Sequence, residues 1–239
     1  GNYRSRVLQY FQQLAVITPY AKLAVDFKCH RDSKKSFRAD FDRRSEQMPP
    51  IAQEIDPHPK SLNNITLSNL LQSSRNASAS IEKFLASDLS GITPAVAQRL
   101  AASLGISGTI AKSLQGKQVA ALIQALRDEK QIKPPSGACL SPAGEYNMRL
   151  GVLKELKPRL VATFSDKAGS HEGHPFLVEA AVSLGGTQVR EGINVYRFAN
   201  RIPLLFEAGA DVVTQVAQKR INWSSYHIDP KKDNIGVYV

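Results

Sequence analysis

The chain has 239 residues, 42% of them hydrophobic and 22% charged, a globular balance with length for two ordinary domains or one large one. A formal net charge of +10 points to a polyanionic partner, nucleic acid first and an anionic membrane surface second. Only two cysteines, Cys29 and Cys139, are present, which speaks for a reducing compartment and against a disulfide framework or cysteine zinc site; no apolar run is long enough to cross a membrane.

Residues 1–50 hold ten Lys/Arg against five Asp/Glu. Val7, Leu8, Phe11, Leu14 and Ala15 recur at helical spacing and predict a helix that ends before Pro19, because the residue before a proline avoids the α region. LAVDF (23–27) and SFRADF (36–41) alternate apolar and polar residues, the pattern of two antiparallel strands joined through HRDSKK. This stretch lacks enough apolar residues for its own core and is expected to be the tail of a preceding domain. Pro49, Pro50, Pro57 and Pro59 mark an extended linker.

From Ser61 to Lys133 the spacing is helical throughout, in LSNLLQ, SIEKFLASDL, TPAVAQRLAASLGI and GKQVAALIQALRDEK. Thr93 and Pro94 read as an N-cap and first helical residue, Gly105 as a stop, with Gly91, Gly108 and Gly116 punctuating the rest. Pro134, Pro135, Ser136 and Gly137 form a second linker. Beyond it PAGEYNMRLGVLKEL predicts a helix and LVATFS a strand. Pro175–Leu184 is an apolar, β-rich run ending at Gly185–Gly186. INVYRFANRIPLLF is a second strand-like run, AGADVVTQVAQKRI a helix, and IGVYV a last strand, in a sheet expected to be incomplete at its C-terminal end. The sequence opens without Met and stops inside that run, so an internal stretch of a longer protein is expected.

Catalytic chemistry is not indicated. His58, His171, His174 and His227 fall in loops, and the H-x-x-H at 171–174 has no second ligand pair nearby. Nucleophile-elbow, zincin and P-loop motifs do not occur, so the stretch is expected to be inactive by itself. The candidate nucleic-acid contacts are basic. Arg4 and Arg6 precede the first helix; Lys112 and Lys117 bracket the glycine turn SLQG, with Arg99 on the neighbouring helix; Lys219 and Arg220 lead to Trp223 and Tyr226, followed by Lys231 and Lys232. Trp223 has two readings, a phosphate contact or a core anchor at a helix end. Arg197, Asn200 and Arg201 lie within an apolar strand pattern. They are either satisfied structural polars or contacts to a partner subunit or a nucleotide-binding domain.

The segments GHPFLVEAAVSLGG, VYRFANRIPLLFEAGADV and CLSPAGEYNMRLGV resemble the B subunit family of DNA topoisomerase VI, a type IIB topoisomerase, and the similarity covers nearly the whole chain. The resemblance implies an α+β multidomain fold. Residues 1–50 would close a gyrase-like (GHKL-type) ATPase domain, residues 51–135 would form an all-α helix-two-turn-helix domain opened by the P-H-P-K at 57–60, and residues 136–239 an α/β transducer of ribosomal-protein-like fold, truncated at its C-terminus. It also implies ATP and Mg2+ bound outside these residues. The implied partners are double-stranded DNA and the A subunit of topoisomerase VI, with ATP-driven homodimerisation giving an A2B2 assembly. The family's Trp-Lys-x-Tyr element reads Trp223-Ser224-Ser225-Tyr226 here, without the lysine. The insert SSRNASAS suggests a eukaryotic, plant-like version, and so a nuclear protein. The rival expectation is a regulatory scaffold of the same fold that binds a protein partner only; an RNA-binding helical module is a third, resting on charge and helical pattern alone.

Overall fold

A computed structural model describes residues 2–206 and 209–239. In chain order the elements are α1 (Asn2–Ile17), β1 (Leu23–Phe27), β2 (Phe37–Phe41), α2 (Asn64–Ser73), α3 (Ile81–Asp88), α4 (Pro94–Ser103), α5 (Lys117–Asp128) and α6 (Glu145–Leu156). There follow β3 (Leu160–Ser165), β4 (Gly169–His171), β5 (His174–Phe176), β6 (Glu179–Leu184), β7 (Gly192–Tyr196), β8 (Phe198–Ala199), β9 (Ile202–Pro203), α7 (Val212–Gln215) and β10 (Asn234–Tyr238). They form two compact units: residues 1–50, 141–167 and 178–239 in one, residues 51–140 and 168–177 in the other.

The first unit is built on a four-stranded sheet in the order β3-β6-β10-β7, antiparallel except for the parallel pair β10–β7. Period-two alternation sends Val161, Ala181 and Tyr238 to one face, where they meet Met148, Val152 and Leu156 of α6 and Val16 and Ile17 of α1. Residues 1–50 therefore share a core with α6 and the sheet. Gly151 makes the close approach of α1 and α6 possible, because a β-carbon there would overlap the Val16 carbonyl oxygen. Ile235 and Val237 point to the opposite face and pack with Ala217 and Trp223. Gly236 leaves room for the Tyr238 ring, which stacks on Tyr196 at 4.8 Å. Burial raises the pKa of both phenols. The β1–β2 hairpin has the expected register, Leu23 opposite Phe41 and Phe27 opposite Phe37.

The second unit packs α2–α5 around Leu67, Leu71, Ile81, Phe84, Leu85, Leu122 and Leu126, all fully buried. Helix starts are set by side chains. Asn63 and Thr66 form a capping box on α2, Ser80 caps α3, and Thr93 caps α4 with Pro94 at the first position. Gly105 takes φ +65° at the end of α4, as a helix-stopping glycine does.

Two strand-like runs are broken in ways the alternation did not show. The run beginning at Pro175 is two strands: β5 pairs with β4 in a hairpin belonging to the second unit, while β6 lies in the sheet of the first. The hairpin turns at Glu172 and Gly173, both at positive φ, and Gly173 fits tightly against the Ser61 amide and the His58 ring. The run INVYRFANRIPLLF ends as β7 at Tyr196 and then folds into the small β8–β9 hairpin, whose turn residues Asn200 and Arg201 have φ +49° and +65°. Two successive positive φ angles are what a tight two-residue hairpin turn demands, so Asn200 and Arg201 are turn residues and not strand residues. The expected helix 208–221 is a single α-turn, Val212–Gln215, continued by a π-turn, Val216–Arg220. Glu207 and Ala208, inside the segment that carries the family resemblance, lie outside the described residues, as does Gly1.

Candidate nucleic-acid interface

In the second unit, Lys112 sits in the 3-10 turn Ala111–Ser113 and Lys117 opens α5, and both are exposed. The loop between them is held from below by Ala111 and Leu114, which are 0% and 2% exposed. Its backbone is tied down as well: the Lys112 amide donates to the Ala77 carbonyl at 2.9 Å and Gln72 Nε2 donates to the Lys112 carbonyl at 2.8 Å. Lys112 Nζ donates to Ser78 Oγ at 3.1 Å. Gly116 supplies no side-chain cap to α5, and the first turn of that helix carries no acidic residue. The Gln118 amide of that first turn donates to the Gln115 carbonyl at 3.1 Å, so what this helix N-terminus offers is the positive end of its dipole beside two lysines, a geometry suited to a phosphate.

Arg99 does not join them. Its guanidinium donates to Glu129 at 2.6 Å and to Gln131 at 2.9 Å. Those partners follow the C-terminal end of α5, and at ~1.5 Å of rise per residue the 12 residues of that helix put about 17 Å between its two ends. Neighbouring helices in sequence do not make neighbouring charges here.

In the first unit, Lys219 and Arg220 close the π-turn and are exposed, as are Tyr226, at 68%, and Lys231 and Lys232 in the loop before β10. No salt bridge engages these four basic side chains among the described residues. Trp223 behaves differently. It is 6% exposed, and its Nε1 donates to the Ala217 carbonyl at 2.8 Å. A buried indole with its only donor engaged has nothing to offer a phosphate, so the DNA-contact reading of Trp223 is corrected to the core-anchor reading. The ring pins the π-turn from beneath and so orients Lys219, Arg220 and Tyr226 outward.

Arg4 and Arg6 lie inside α1, which begins at Asn2, and do not precede it. Both are exposed, with the Arg4 guanidinium carbon 5.0 Å from the Phe37 ring centroid and that of Arg6 6.0 Å from Phe206. These stacking contacts hold the cations in place without neutralising them.

The three polar residues of the segment RFANR (197–201) separate. Arg197 is 8% exposed, 3.0 Å from the Asp211 carboxylate, and donates to the Leu204 and Phe206 carbonyls, which makes it a member of a buried network. Its reading as a contact to a partner is corrected for that reason. Arg201 is half-buried, donates to Ser141 Oγ at 3.4 Å and hydrogen-bonds Tyr20; burial raises the Tyr20 pKa and Arg201 opposes the rise. Asn200 is exposed at the hairpin tip. Two residues that matter here escaped the sequence pattern. Asp211 caps α7 through Thr214 as well as pairing with Arg197; the Asp-x-x-Thr spacing before a helix was the available signal. The other is His58. Its Nδ1 accepts from the Lys60 amide at 3.2 Å, and its Nε2 lies 3.0 Å from the Lys133 carbonyl, which can only accept. The ring is therefore neutral and protonated at Nε2, and burial lowers its pKa. Among the described residues no group of three or more His, Cys, Asp or Glu could hold a metal ion, and no helix is long and apolar enough to cross a membrane.

Comparison with known proteins agrees with this architecture. Residues 135–239 match the family described as "Topoisomerase VI B subunit, transducer". Over 240 residues, 99% of its length, the chain is 47% identical to the B subunit of DNA topoisomerase 6 from Arabidopsis thaliana, covering 35% of that protein. It is 45% identical over 241 residues, again 99% of its length, to the corresponding DNA topoisomerase 6 protein of Oryza sativa subsp. indica, covering 34% of it. Against the B subunit of the type 2 DNA topoisomerase 6 from Archaeoglobus fulgidus the identity is 30% over 231 residues, 95% of this chain and 37% of the relative. The chain thus spans about a third of the length of the curated relatives it matches.

Proposed function

We propose that the chain, whose residues 135–239 match the family described as "Topoisomerase VI B subunit, transducer" and whose remainder is similar to the same B subunits, is the middle of the ATP-binding B subunit of a type IIB DNA topoisomerase. The observation that carries the reading is a match extending over 99% of the chain, across both compact units. In this reading residues 1–50 close a GHKL-type ATPase domain and residues 51–135 are a helix-two-turn-helix domain. ATP and Mg2+ bind elsewhere in the protein, ATP binding joins two B subunits, and the transducer passes that event to a DNA-cleaving A subunit in an A2B2 assembly within the nucleus. The part derived from these residues is DNA contact. Lys112, Lys117 and the α5 N-terminus form one basic patch, and Lys219, Arg220, Tyr226, Lys231 and Lys232 form another; both suit a sequence-independent grip on a phosphate backbone. Arg4 and Arg6 supply further exposed charge, and Asn200 and Arg201 are the remaining candidates for coupling to the DNA-cleaving partner.

The test is reconstitution. The full-length protein, mixed with its DNA-cleaving partner, relaxes supercoiled DNA only when ATP is supplied, while the 239-residue chain alone hydrolyses no ATP. Association of the two proteins without any relaxation overturns the enzyme reading in favour of a scaffold.

A further inference from the structure

The chain passes between the two compact units four times, after residues 50, 140, 167 and 177. At the first two passages the backbone is in neither helix nor strand. The last two are the arms of one antiparallel ribbon, in which β3 leads into β4 and β5 returns into β6. Backbone held in a hydrogen-bonded ladder is stiffer than backbone without one. The ribbon has one irregularity, and it falls at the unit boundary. Ser165 pairs with Glu179 and Gly169 with Phe176, so three residues of the outgoing strand, 166–168, stand against two of the return, 177–178. One surplus residue is a β-bulge, which bends its strand and increases the twist. The Asp166 amide still donates across to the Val178 carbonyl at 3.0 Å, whereas the Lys167 amide turns to Asp166 Oδ1 at 2.7 Å. The bulge therefore sits at residues 167–168.

Beyond the bulge the ribbon is clamped within the helical unit at two points. At its base a β-carbon on Gly137 would lie 2.7 Å from the Ala168 methyl. At its tip Gly173 has φ +79°, and a β-carbon there would lie 2.6 Å from the Ser61 amide nitrogen and 2.8 Å from His58 Nδ1. Neither approach tolerates a side chain. The His58 ring is buried and hydrogen-bonded to the Lys133 carbonyl, so the tip rests where the two ends of the helical segment are tied together. Between the clamps the Phe176 ring covers its cross-strand partner Gly169 and replaces the side chain that glycine lacks.

We propose that this ribbon is the arm by which a duplex bound at the helical unit acts on the sheet of the first unit. The clamps at Gly137 and Gly173 fix the arm to the helices, and the bulge at 167–168 is the joint where a turn of the helical core becomes a twist of the β3–β6 pair. The inference rests on the reading of Lys112 and Lys117 as duplex contacts. A core that turns carries its clamped ribbon with it. β6 is an inner strand, paired with both β3 and β10, so a twist delivered there spreads into the sheet and is not absorbed at an edge. Gly137 and Gly173 are positioning residues in this scheme, and neither touches DNA.

The experiment is hydrogen exchange of the 239-residue chain with and without a DNA duplex long enough to saturate it, with fluorescence anisotropy run on the same samples. In the wild type, bound duplex should protect the Lys117 end of α5 and change exchange rates in residues 160–168 and 177–184 by at least about twofold. Gly173→Ala should keep the duplex affinity and the protection at α5, and lose the change in β3 and β6. A purely structural role for Gly173 would not separate these readouts. If a melting curve shows that the alanine variant does not fold, replacement of residues 169–176 by Asn-Gly serves instead. That two-residue hairpin turn removes the tip without crowding the His58 turn, and should lose the change likewise. A β3–β6 response that survives in the folded variant runs by another route and overturns the arm. Duplex binding by the wild type with no response in β3 and β6 also overturns it, and leaves the duplex contacts standing. No binding at low salt overturns the contacts and the arm together.

Discussion

Arg197 and Asp211 meet at 3.0 Å with the arginine side chain 9% exposed and the aspartate 21%. One carboxylate thus closes two features: it neutralises the cation that ties down the loop after β9, and it caps α7 through the Thr214 amide. Its pKa is lowered, because the Thr214 and Gly209 bonds and Arg197 outweigh its desolvation. Asp211→Ala should lower unfolding free energy by about 3–5 kcal/mol, most of it from the buried guanidinium's loss of this carboxylate while its carbonyl partners remain, and ~1 kcal/mol from the lost cap. Urea unfolding measures it. Arg197→Met with Asp211→Ala should recover part of the loss; a double variant as unstable as the sum of the two singles would show that the residues are not coupled.

Lys112→Ala and Lys117→Ala should each weaken duplex binding about equally across sequences and lower the magnitude of the salt slope by roughly 1. Fluorescence anisotropy across a salt series reads both quantities. Arg99→Ala, its charge engaged by Glu129, should leave the slope nearly unchanged. An unchanged slope in the two lysine variants would assign them to an ordinary solvated surface.

Trp223→Ala should destabilise the first unit by about 3–5 kcal/mol as a buried aromatic truncation, and any loss of DNA binding should follow unfolding. Tyr226→Ala and the pair Lys219→Ala, Arg220→Ala should do the reverse, reducing affinity with little change in melting temperature. Comparing affinity at a temperature where all variants are folded separates the two classes.

His58 gives a pH dependence of known sign. Its folded pKa lies below its ordinary value of 6.5 through burial, with Lys60 adding repulsion and the Lys133 hydrogen bond partly opposing. Protonation places a charge in a buried ring and removes the acceptor for the Lys60 amide. The stability His58 contributes is complete above pH ~6.5 and is lost as pH falls from there toward the folded value. The slope contributed by one such group is at most about 1.4 kcal/mol per pH unit. Urea midpoints between pH 7.5 and 5.5 should fall in the wild type and fall less in His58→Asn, whose amide oxygen can still accept from Lys60. Parallel curves would remove His58 as the source.

The sequence made local structure legible wherever one residue type has one reason to be present. Thr93–Pro94 at the start of α4, Gly105 at its end and the alternation of LVATFS were all readable for that reason. Long-range pairing left no such mark. Arg99 meets Glu129 thirty positions on, and Arg197 is buried only because the loop after β9 folds back over it. The Asn200–Arg201 turn went unseen because it takes two positive φ angles without a glycine, and Trp223 stayed ambiguous because its burial depends on a π-turn that no periodicity announces. Of the candidate interface, the exposed lysines were legible and the separation of Arg99 from them was not.

The hairpin of residues 168–177 has a consequence for synthesis. The helical core is complete within residues 62–132, yet the turn at His58 is closed by Gly173, far later in the chain. At about 5–20 residues per second a ribosome takes seconds to deliver that stretch after the last helix. The helical unit can therefore collapse early while the imidazole waits, solvated, for the glycine that will shut it in. A nascent or truncated chain ending before the hairpin should carry a native helical core and an open His58 turn, distinguishable by the histidine's titration alone.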